Sequence, residues 1–257
     1  MKNKACFMLL VWMLAAQPAA SALDGRSDGL WQKAMDVFRR NSDWFPGKVS
    51  VVSEILDRKG RPDSVTELFF DIVFDEKNAA RTELTRAFRN HKDVSVEMKK
   101  NLAGRENQDE KDAEKRDRFT VSLADIPFNP EKQQDVTVSV HAEKRLLFGR
   151  NCQRFDFTFR TAIVQKGRKE DLTWVGMAWL DENSGVPVKL EFSFEPLPRN
   201  VQRFWMIYLY DVNATPDWTL KEIRAEGQGG FLFIKKGFRS TTVFSDYRRR
   251  PRPGDPS

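Results

Sequence analysis

Apolar and polar residues alternate strictly over much of the second half of the chain. Residues 154–160 read RFDFTFR and residues 189–194 read KLEFSF, so every second position is apolar and most of these are phenylalanine. Successive side chains of a β-strand point to opposite faces of the sheet, and this alternation is typical of half-buried strands. The pattern predicts strands with one aromatic face and one polar face.

Strand-like segments of this kind extend over most of the sequence. Three are predicted between residues 48 and 89, and eight more between residues 136 and 247. The turns between the later strands are predicted at Gly149-Arg150, Lys166-Gly167, Asn183-Ser184-Gly185, Asn213-Ala214 and Gly229-Gly230. Short connections favour pairing in sequence order, and a sheet of many strands must curl because strand twist accumulates.

One amphipathic helix precedes the strands. Residues 27–41 read SDGLWQKAMDVFRRN and place Leu30, Ala34, Val37 and Phe38 on one helical face. An apolar helical stripe must pack against another element, so the helix is expected over the mouth of the sheet. The predicted fold is mainly β with α: a curved antiparallel sheet of about eleven strands, forming an unclosed half-barrel covered by one or two helices.

The first 22 residues have the pattern of a secretory signal peptide. Two lysines precede an apolar run, and Ala20-Ser21-Ala22 resembles a cleavage site. Removal of residues 1–22 leaves 235 of 257 residues and lowers the formal charge from +6 to +4. We therefore expect an exported protein that is soluble after cleavage.

Cleavage would remove one of the two cysteines and leave Cys152, so no internal disulfide is expected. Two interpretations of Cys152 are open: a buried, inert thiol or a disulfide between two copies of the chain.

Two charged segments complete the predicted domain organisation. Residues 23–247 are predicted to form a single domain, interrupted at 93–118 by an insertion of mixed charge that suits a solvated helix or a mobile loop. Residues 248–257 form a basic, flexible tail, either a frayed terminus or a contact for anionic lipid headgroups or an acidic partner.

Motifs that carry catalysis are missing from the sequence. His91 and His141 are far apart, and no Cys, His and carboxylate spacing suits a metal. There is no G-x-S-x-G elbow, glycine-rich phosphate loop or H-E-x-x-H motif. We expect no catalytic residues, no metal and no cofactor, and the modest charge does not demand a nucleic acid.

The aromatic content is open to two interpretations. Nineteen Phe and six Trp remain after cleavage, and they either fill an ordinary core or leave apolar surface for a hydrophobic guest. In the second case the protein is a binding protein, and the candidate lining residues are Phe155, Phe157, Phe159, Trp179, Phe192 and Phe194. In the first case it is a non-catalytic structural or interaction module with a fully packed core, whose function lies in the charged insertion, the KKGFR patch or the arginine tail.

Three segments carry a resemblance to a known family. They are residues 48–62, the hairpin at 176–194 and residues 218–248; within the hairpin the pattern consists of Trp179, Leu180, Asp181, Gly185 and Pro187. The sequence resembles the periplasmic outer-membrane lipoprotein-sorting proteins of the lipoprotein-carrier-like superfamily.

The resemblance implies an unclosed barrel with a helical lid, whose cavity takes a lipid or the acyl chain of a lipoprotein. It also implies a periplasmic carrier served by an inner-membrane transporter or an outer-membrane acceptor. Independently of the resemblance, the charge of the basic tail suits peripheral contact with a membrane.

Overall fold

The computed structural model of the 257-residue chain describes residues 25–74, 80–102, 126–165, 168–197, 201–211, 218–231 and 234–249. Several predictions fall outside these ranges. They are the signal peptide, most of the charged insertion, the Lys166-Gly167 and Asn213-Ala214 turns, and the tail beyond Arg249.

The described chain consists of one long helix, a short second helical segment, a 3-10 helix and eleven strands. Helix α1 spans Gly25–Arg40, residues 95–102 are helical, and the 3-10 helix spans Pro130–Asp135. The strands are β1 Trp44–Leu56, β2 Pro62–Phe74, β3 Ala80–Arg89, β4 Lys92–Asp93, β5 Val136–Leu147, β6 Arg150–Gln165, β7 Arg168–Asp181, β8 Pro187–Glu195, β9 Val201–Asp211, β10 Thr219–Phe231 and β11 Ile234–Arg249.

All eleven strands belong to one antiparallel sheet with the order β4-β3-β2-β1-β11-β10-β9-β8-β7-β6-β5. Neighbours pair in sequence order except at the centre, where β1 pairs with β11. The two edges are β4 and β5, so the sheet is not closed into a barrel. The predicted fold class, an open antiparallel sheet of eleven strands with helical cover, is confirmed.

Two boundaries within the sheet differ from the prediction. The predicted turn at Gly229-Gly230 lies inside β10, and the chain reverses between Phe231 and Ile234; the short β4 supplies the eleventh strand instead. One glycine of this hairpin, Gly227, has a clear packing reason. A Cβ on Gly227 would lie 2.3 Å from the ring of Phe238 on the neighbouring strand, so the glycine makes room for an aromatic side chain.

The basic tail also begins later than predicted. Arg248 and Arg249, expected to be flexible, are the last residues of β11 and pair with Phe45 and Trp44 of β1. The guanidinium of Arg249 lies 5.3 Å from the centre of the Trp44 ring, a cation–π contact that favours the ordered strand.

Helix α1 covers one half of the sheet. As predicted, its apolar face is buried, with Ala34 and Val37 at 2 % exposure or less. Trp31 packs on Phe128 and Phe155 at ring-centroid distances of 4.8 and 5.7 Å, and its Nε1 donates a hydrogen bond to Gln133. Helix α1, residues 126–128 and the 3-10 helix therefore form one layer on β6–β9. We call this side of the sheet the helix face and the other side the outer face.

The hairpin between β7 and β8 holds α1 in place. Gly185 has a φ of +73°, and a Cβ there would lie 2.5 Å from Cβ of Lys33 and 2.9 Å from the carbonyl oxygen of Leu30. Lys33 Nζ in turn donates to the carbonyl of Asn183 at 3.3 Å. Gly185, part of the family-like pattern, therefore permits close contact between hairpin and helix.

Asp181 organises the same hairpin. The residue is 3 % exposed, and its carboxylate accepts hydrogen bonds from the backbone N–H groups of Asn183 and Ser184 and lies 3.2 Å from Nη1 of Arg150. Burial alone would raise the pKa of Asp181, but these hydrogen bonds outweigh it and hold the pKa below its ordinary value of 3.8.

This lowered pKa predicts an acid-dependent loss of stability. The contribution of the Asp181 carboxylate should be complete above about pH 4 and should disappear as the pH falls through the folded-state pKa. In Asp181→Asn the carboxylate is absent, so the difference in free energy of unfolding from wild type should be constant near neutrality and should shrink in acid. Urea unfolding of both proteins between pH 7 and pH 2.5 measures this difference. If the difference stays constant to the lowest pH, the lowered pKa of Asp181 is contradicted.

Candidate ligand-binding cavity

The aromatic residues predicted to line a cavity are buried in the hydrophobic core. Five of the six share the helix face and are at most 2 % exposed: Phe155, Phe157, Phe159, Phe192 and Phe194. Phe192 stacks on Trp174 at 4.3 Å with an interplanar angle of 4°. Trp31 of α1 packs on Phe155 and on Phe128, so the helix layer covers this end of the aromatic cluster.

Trp179, the sixth predicted residue, lies on the outer face. It pairs with Arg154 on β6 and Lys189 on β8, whose side chains point away from the phenylalanines. The Trp179 ring is buried, and the guanidinium of Arg145 lies 5.2 Å from its centre. The structure thus separates Trp179 from the other five candidates.

A cavity of about 370 Å³ lies beside this packed core, at the C-terminal end of α1. It is bounded by the helix end, residue Ile126 and the adjoining ends of β1, β9, β10 and β11. The large side chains that line it belong to Phe38, Trp44, Tyr208, Tyr210, Trp218 and Tyr247. The volume falls in the range of small-molecule sites, and the lining is predominantly apolar, as such sites usually are.

Trp218 forms the part of the wall next to the helix. Its ring lies 6.3 Å from Phe38 and 4.8 Å from Tyr210, and its carbonyl oxygen accepts a hydrogen bond from Nδ2 of Asn41 at 3.2 Å. Asn41 follows α1 directly, so the helix end and the start of β10 are joined at the cavity. The cavity therefore depends on how α1 is positioned.

Two polar atoms in this wall have no hydrogen-bond partner among the described residues. They are the hydroxyl of Tyr210 and Nε1 of Trp218, and both side chains are 5 % exposed. Burial raises the pKa of Tyr210 well above its usual range, so its hydroxyl stays protonated and able to donate. By contrast, the hydroxyl of Tyr247 donates to the carbonyl of Leu220. Buried donors are normally satisfied, so these two are exceptions, and neither atom is accessible from the cavity.

Among the described residues, charged groups lie near the cavity but not in its wall. The described residues that line it include no charged side chain. At the neighbouring end of the sheet, Nζ of Lys48 lies 2.7 Å from Asp246, and the hydrogen bond with this carboxylate raises the pKa of Lys48. Together with Arg249 above Trp44, this makes the surroundings of the cavity polar.

A second, more open groove of about 460 Å³ lies mainly on the outer face, between β5 and β9. Arg154 and Asp156 border it with Met177, Trp205 and the predicted residue Phe157. Because Arg154 pairs with Asp156 and Glu143, each at 2.8 Å, its charge is already neutralised. The groove has less of the character of a ligand site than the cavity at the helix end.

Cys152 has the features of an inert thiol. It is fully buried, and burial raises its pKa to about 11, which keeps it protonated near neutral pH. Within the described ranges, no group of three or more His, Cys, Asp or Glu residues is arranged to hold a metal ion. No helix in the part of the chain that the structure describes has both the length and the apolar character needed to span a membrane.

The cavity residues were missed by the sequence analysis, which followed phenylalanine rather than tyrosine. A usable signal was present in β9, where Tyr208 and Tyr210 share one side of the segment IYLY and alternate with the apolar Ile207 and Leu209. A buried tyrosine brings a hydroxyl that needs a partner, so two on one face indicate the edge of a core or a binding site.

The chain shows low similarity to several solved structures. An outer membrane lipoprotein-sorting protein domain from Vibrio parahaemolyticus matches with 13 % identity and a TM-score of 0.39, over 88 % of this chain and 95 % of that one. A DUF1329 family protein from Desulfovibrio piger matches with 9 % identity and a TM-score of 0.37, over 89 % and 95 %. The MucA/MucB complex of Pseudomonas aeruginosa matches with 9 % identity and a TM-score of 0.21, over 85 % and 99 %.

The first of these similarities is to the class of protein that the sequence resembles, the outer-membrane lipoprotein-sorting proteins. No protein-family model and no curated protein matches the chain.

Proposed function

We propose that this protein is a periplasmic carrier that holds a lipid or the acyl chain of a lipoprotein in the cavity at the C-terminal end of α1. The observation that carries the proposal is the cavity itself: about 370 Å³ with mainly aromatic and aliphatic walls and no charged side chain among its described lining residues. This is the environment that an alkyl chain requires. The proposed binding site is therefore lined by tyrosine and tryptophan side chains rather than by the predicted phenylalanines.

The burial of an alkyl chain supplies sufficient free energy. Each buried CH₂ contributes about 0.8 kcal/mol, so ten methylenes contribute about 8 kcal/mol before the cost of ordering the chain. No ionic anchor is needed for such a ligand. A carrier also needs no catalytic group, and we propose that the protein is not an enzyme.

The proposed location and partners rest on the N-terminal segment and the resemblance. Residues 1–22 have the pattern of a signal peptide, which supports export to the periplasm. A carrier in that compartment exchanges its cargo with membranes, and an inner-membrane transporter and an outer-membrane acceptor are the partners proposed.

A variant that fills the cavity tests this function. Leu220 lines the cavity, and Leu220→Trp places a larger side chain in it. Monopalmitoyl glycerol should displace a fluorescent hydrophobic probe from wild type in a saturable manner. The variant should bind the probe and the lipid at least about tenfold more weakly, because the space for the alkyl chain is occupied.

Leu209→Trp is the matched control, since Leu209 lies on the adjoining strand with its side chain on the outer face, opposite Glu222 and Lys189. This control should bind like wild type. Equal binding by wild type and Leu220→Trp would exclude the cavity as the site.

One observation favours the alternative function, an envelope structural or interaction module. The phenylalanines predicted to line a cavity are packed as such a module requires. The same titration separates the two functions, because a module with a fully packed core shows no saturable site for the probe.

A further inference from the structure

The turn between β5 and β6 exposes two large apolar side chains. Among the described residues, three large apolar residues are more than half exposed: Val96 at 83 %, Leu146 at 70 % and Phe148 at 65 %. Leu146 and Phe148 are only two positions apart, and we call residues 146–149 the hairpin tip. A single exposed apolar residue needs no explanation, but neighbouring ones at a protruding turn indicate a contact surface.

Phe148 occupies a turn position that is unfavourable for phenylalanine. Leu147 pairs with Arg150, so the turn has two residues, and both have a positive φ, +49° at Phe148 and +79° at Gly149. Such turns favour Asn, Asp or Gly, because bulky side chains are strained at a positive φ. Burial of the ring could offset this strain, but Phe148 is mostly exposed. The chain therefore holds an aromatic side chain in solvent at a cost in stability, a feature that is common at functional sites.

The hairpin tip lies at the same end of the sheet as the proposed binding cavity. The strands from β5 to β10 are antiparallel neighbours, so the β5–β6 turn is at the end where β9 finishes and β10 begins. These ends of β9 and β10 contribute to the cavity wall. The remaining exposed residue, Val96, follows the end of β3 at the opposite end of the sheet. A surface that contacts the hairpin tip therefore also faces the end with the cavity.

The charges at this end suit the headgroup layer of a membrane. The charged side chains next to the hairpin tip form three ion pairs: Lys144 with Glu182, Arg145 with Glu143 and Arg150 with Asp181. Paired charges are less costly to bring close to lipid than isolated ones. At the same end, the exposed Arg248 and Arg249 finish β11 and complement anionic headgroups.

We propose that the hairpin tip inserts Leu146 and Phe148 into a phospholipid bilayer that contains anionic lipids, and so docks the cavity end of the protein on the membrane. This inference deepens the proposed carrier function, on which it rests, by naming the surface that meets the membrane. Two side chains are too few for a stable contact between proteins, which usually buries more than about 1,000 Å². In lipid they give a weak, reversible attachment, as a carrier that leaves the membrane requires.

Flotation with vesicles of phosphatidylethanolamine and phosphatidylglycerol tests the docking. Wild type should bind the vesicles in a saturable manner. Leu146→Ser and Phe148→Ser should each bind at least about tenfold more weakly, because a mostly exposed apolar group that enters the lipid is lost. Both residues are exposed, so the fold should be unaffected. Val96→Ser is the matched control and should bind like wild type, because it removes an exposed apolar side chain at the opposite end.

Leu220→Trp separates the docking from the carrier function. This variant fills the cavity but leaves the hairpin tip unchanged, so it should bind vesicles like wild type. If it does, while wild type shows no saturable site for the hydrophobic probe, the carrier function fails and the docking stands.

Two results would overturn the docking without deciding the carrier function, which the probe titration decides. The first is vesicle binding that is absent in wild type or unchanged in Leu146→Ser and Phe148→Ser. The second is a dimer of wild type that Phe148→Ser dissociates, without vesicle binding by either protein. In that case the hairpin tip contacts a second copy of the chain rather than a membrane, and sedimentation of both proteins measures it.

Discussion

Phe192→Ala is expected to lower the free energy of unfolding by about 3–5 kcal/mol. Phe192 is fully buried, stacks on Trp174 at 4.3 Å and meets the edge of Tyr208 at 5.3 Å. Its removal leaves a cavity between β7, β8 and β9 that the surrounding rings cannot close, because they are fixed on three neighbouring strands. Denaturant unfolding followed by tryptophan fluorescence measures the loss.

Phe148→Ala is the matched control for this prediction. Phe148 is 65 % exposed in the β5–β6 turn, so its truncation should change stability by no more than about 0.5 kcal/mol. A loss below about 1 kcal/mol at Phe192 would show that the aromatic core is not packed as described. The same burial means that a charged residue at Phe192 would unfold the protein, so the cavity has to be probed at Leu220 or Tyr210 instead.

Gly185→Ala is expected to cost about 2–4 kcal/mol. The φ of +73° is unfavourable for alanine, and the added methyl would meet Lys33 and the carbonyl of Leu30 on α1. The helix must then move away from the hairpin, which weakens the layer over the core. Thermal or denaturant unfolding of the variant measures this effect.

Gly60→Ala separates the cost of placing alanine at a positive φ from the cost of steric contact with α1. Gly60 has a φ of +77°, close to that of Gly185, but a Cβ there would meet nothing within 4 Å. The Gly60→Ala substitution should therefore lower the free energy of unfolding by only about 1 kcal/mol, because alanine pays only for the unfavourable φ. Similar losses at the two glycines would show that Gly185 does not hold the helix.

The sheet could be predicted largely from the alternation of residues. Segments such as RFDFTFR specify both a strand and its faces, and the order of pairing follows from short connections. Local patterns failed where a residue serves a neighbour that is distant in sequence. The Gly229-Gly230 pair predicts a turn, but both residues pair with β11 inside β10. The nearby Gly227 shows that a glycine inside a strand can serve to admit a neighbouring ring, here that of Phe238.

The binding site was harder to predict for a physical reason. Alternation shows that Phe155 and Phe192 face one side, but it does not show how much of that side the helix covers. Coverage depends on the position of α1, which is set by long-range contacts such as Trp31 with Phe128 and Gly185 with Lys33. The covered half became a packed core, and the cavity lies at its margin.

The same arrangement connects the fold with the proposed function. The helix face continues from the packed core through Phe204 of β9 and Phe238 of β11, whose ring centroids lie 6.2 Å apart, to the half-buried Val49 and Val51 of β1. An apolar surface of this kind, next to a cavity at the helix end, suits a ligand with a long alkyl chain. The rigid half of the sheet positions the walls, and the helix end joins them through Asn41.

The most direct test of the central claim is native mass spectrometry of the protein purified gently from its own cells, with extraction and identification of any bound lipid. We expect one acyl-bearing molecule per chain on wild type and none on Leu220→Trp, with Leu209→Trp behaving like wild type. Bare protein in every case, also after incubation with monopalmitoyl glycerol, would contradict the claim that the cavity beside α1 carries an acyl chain.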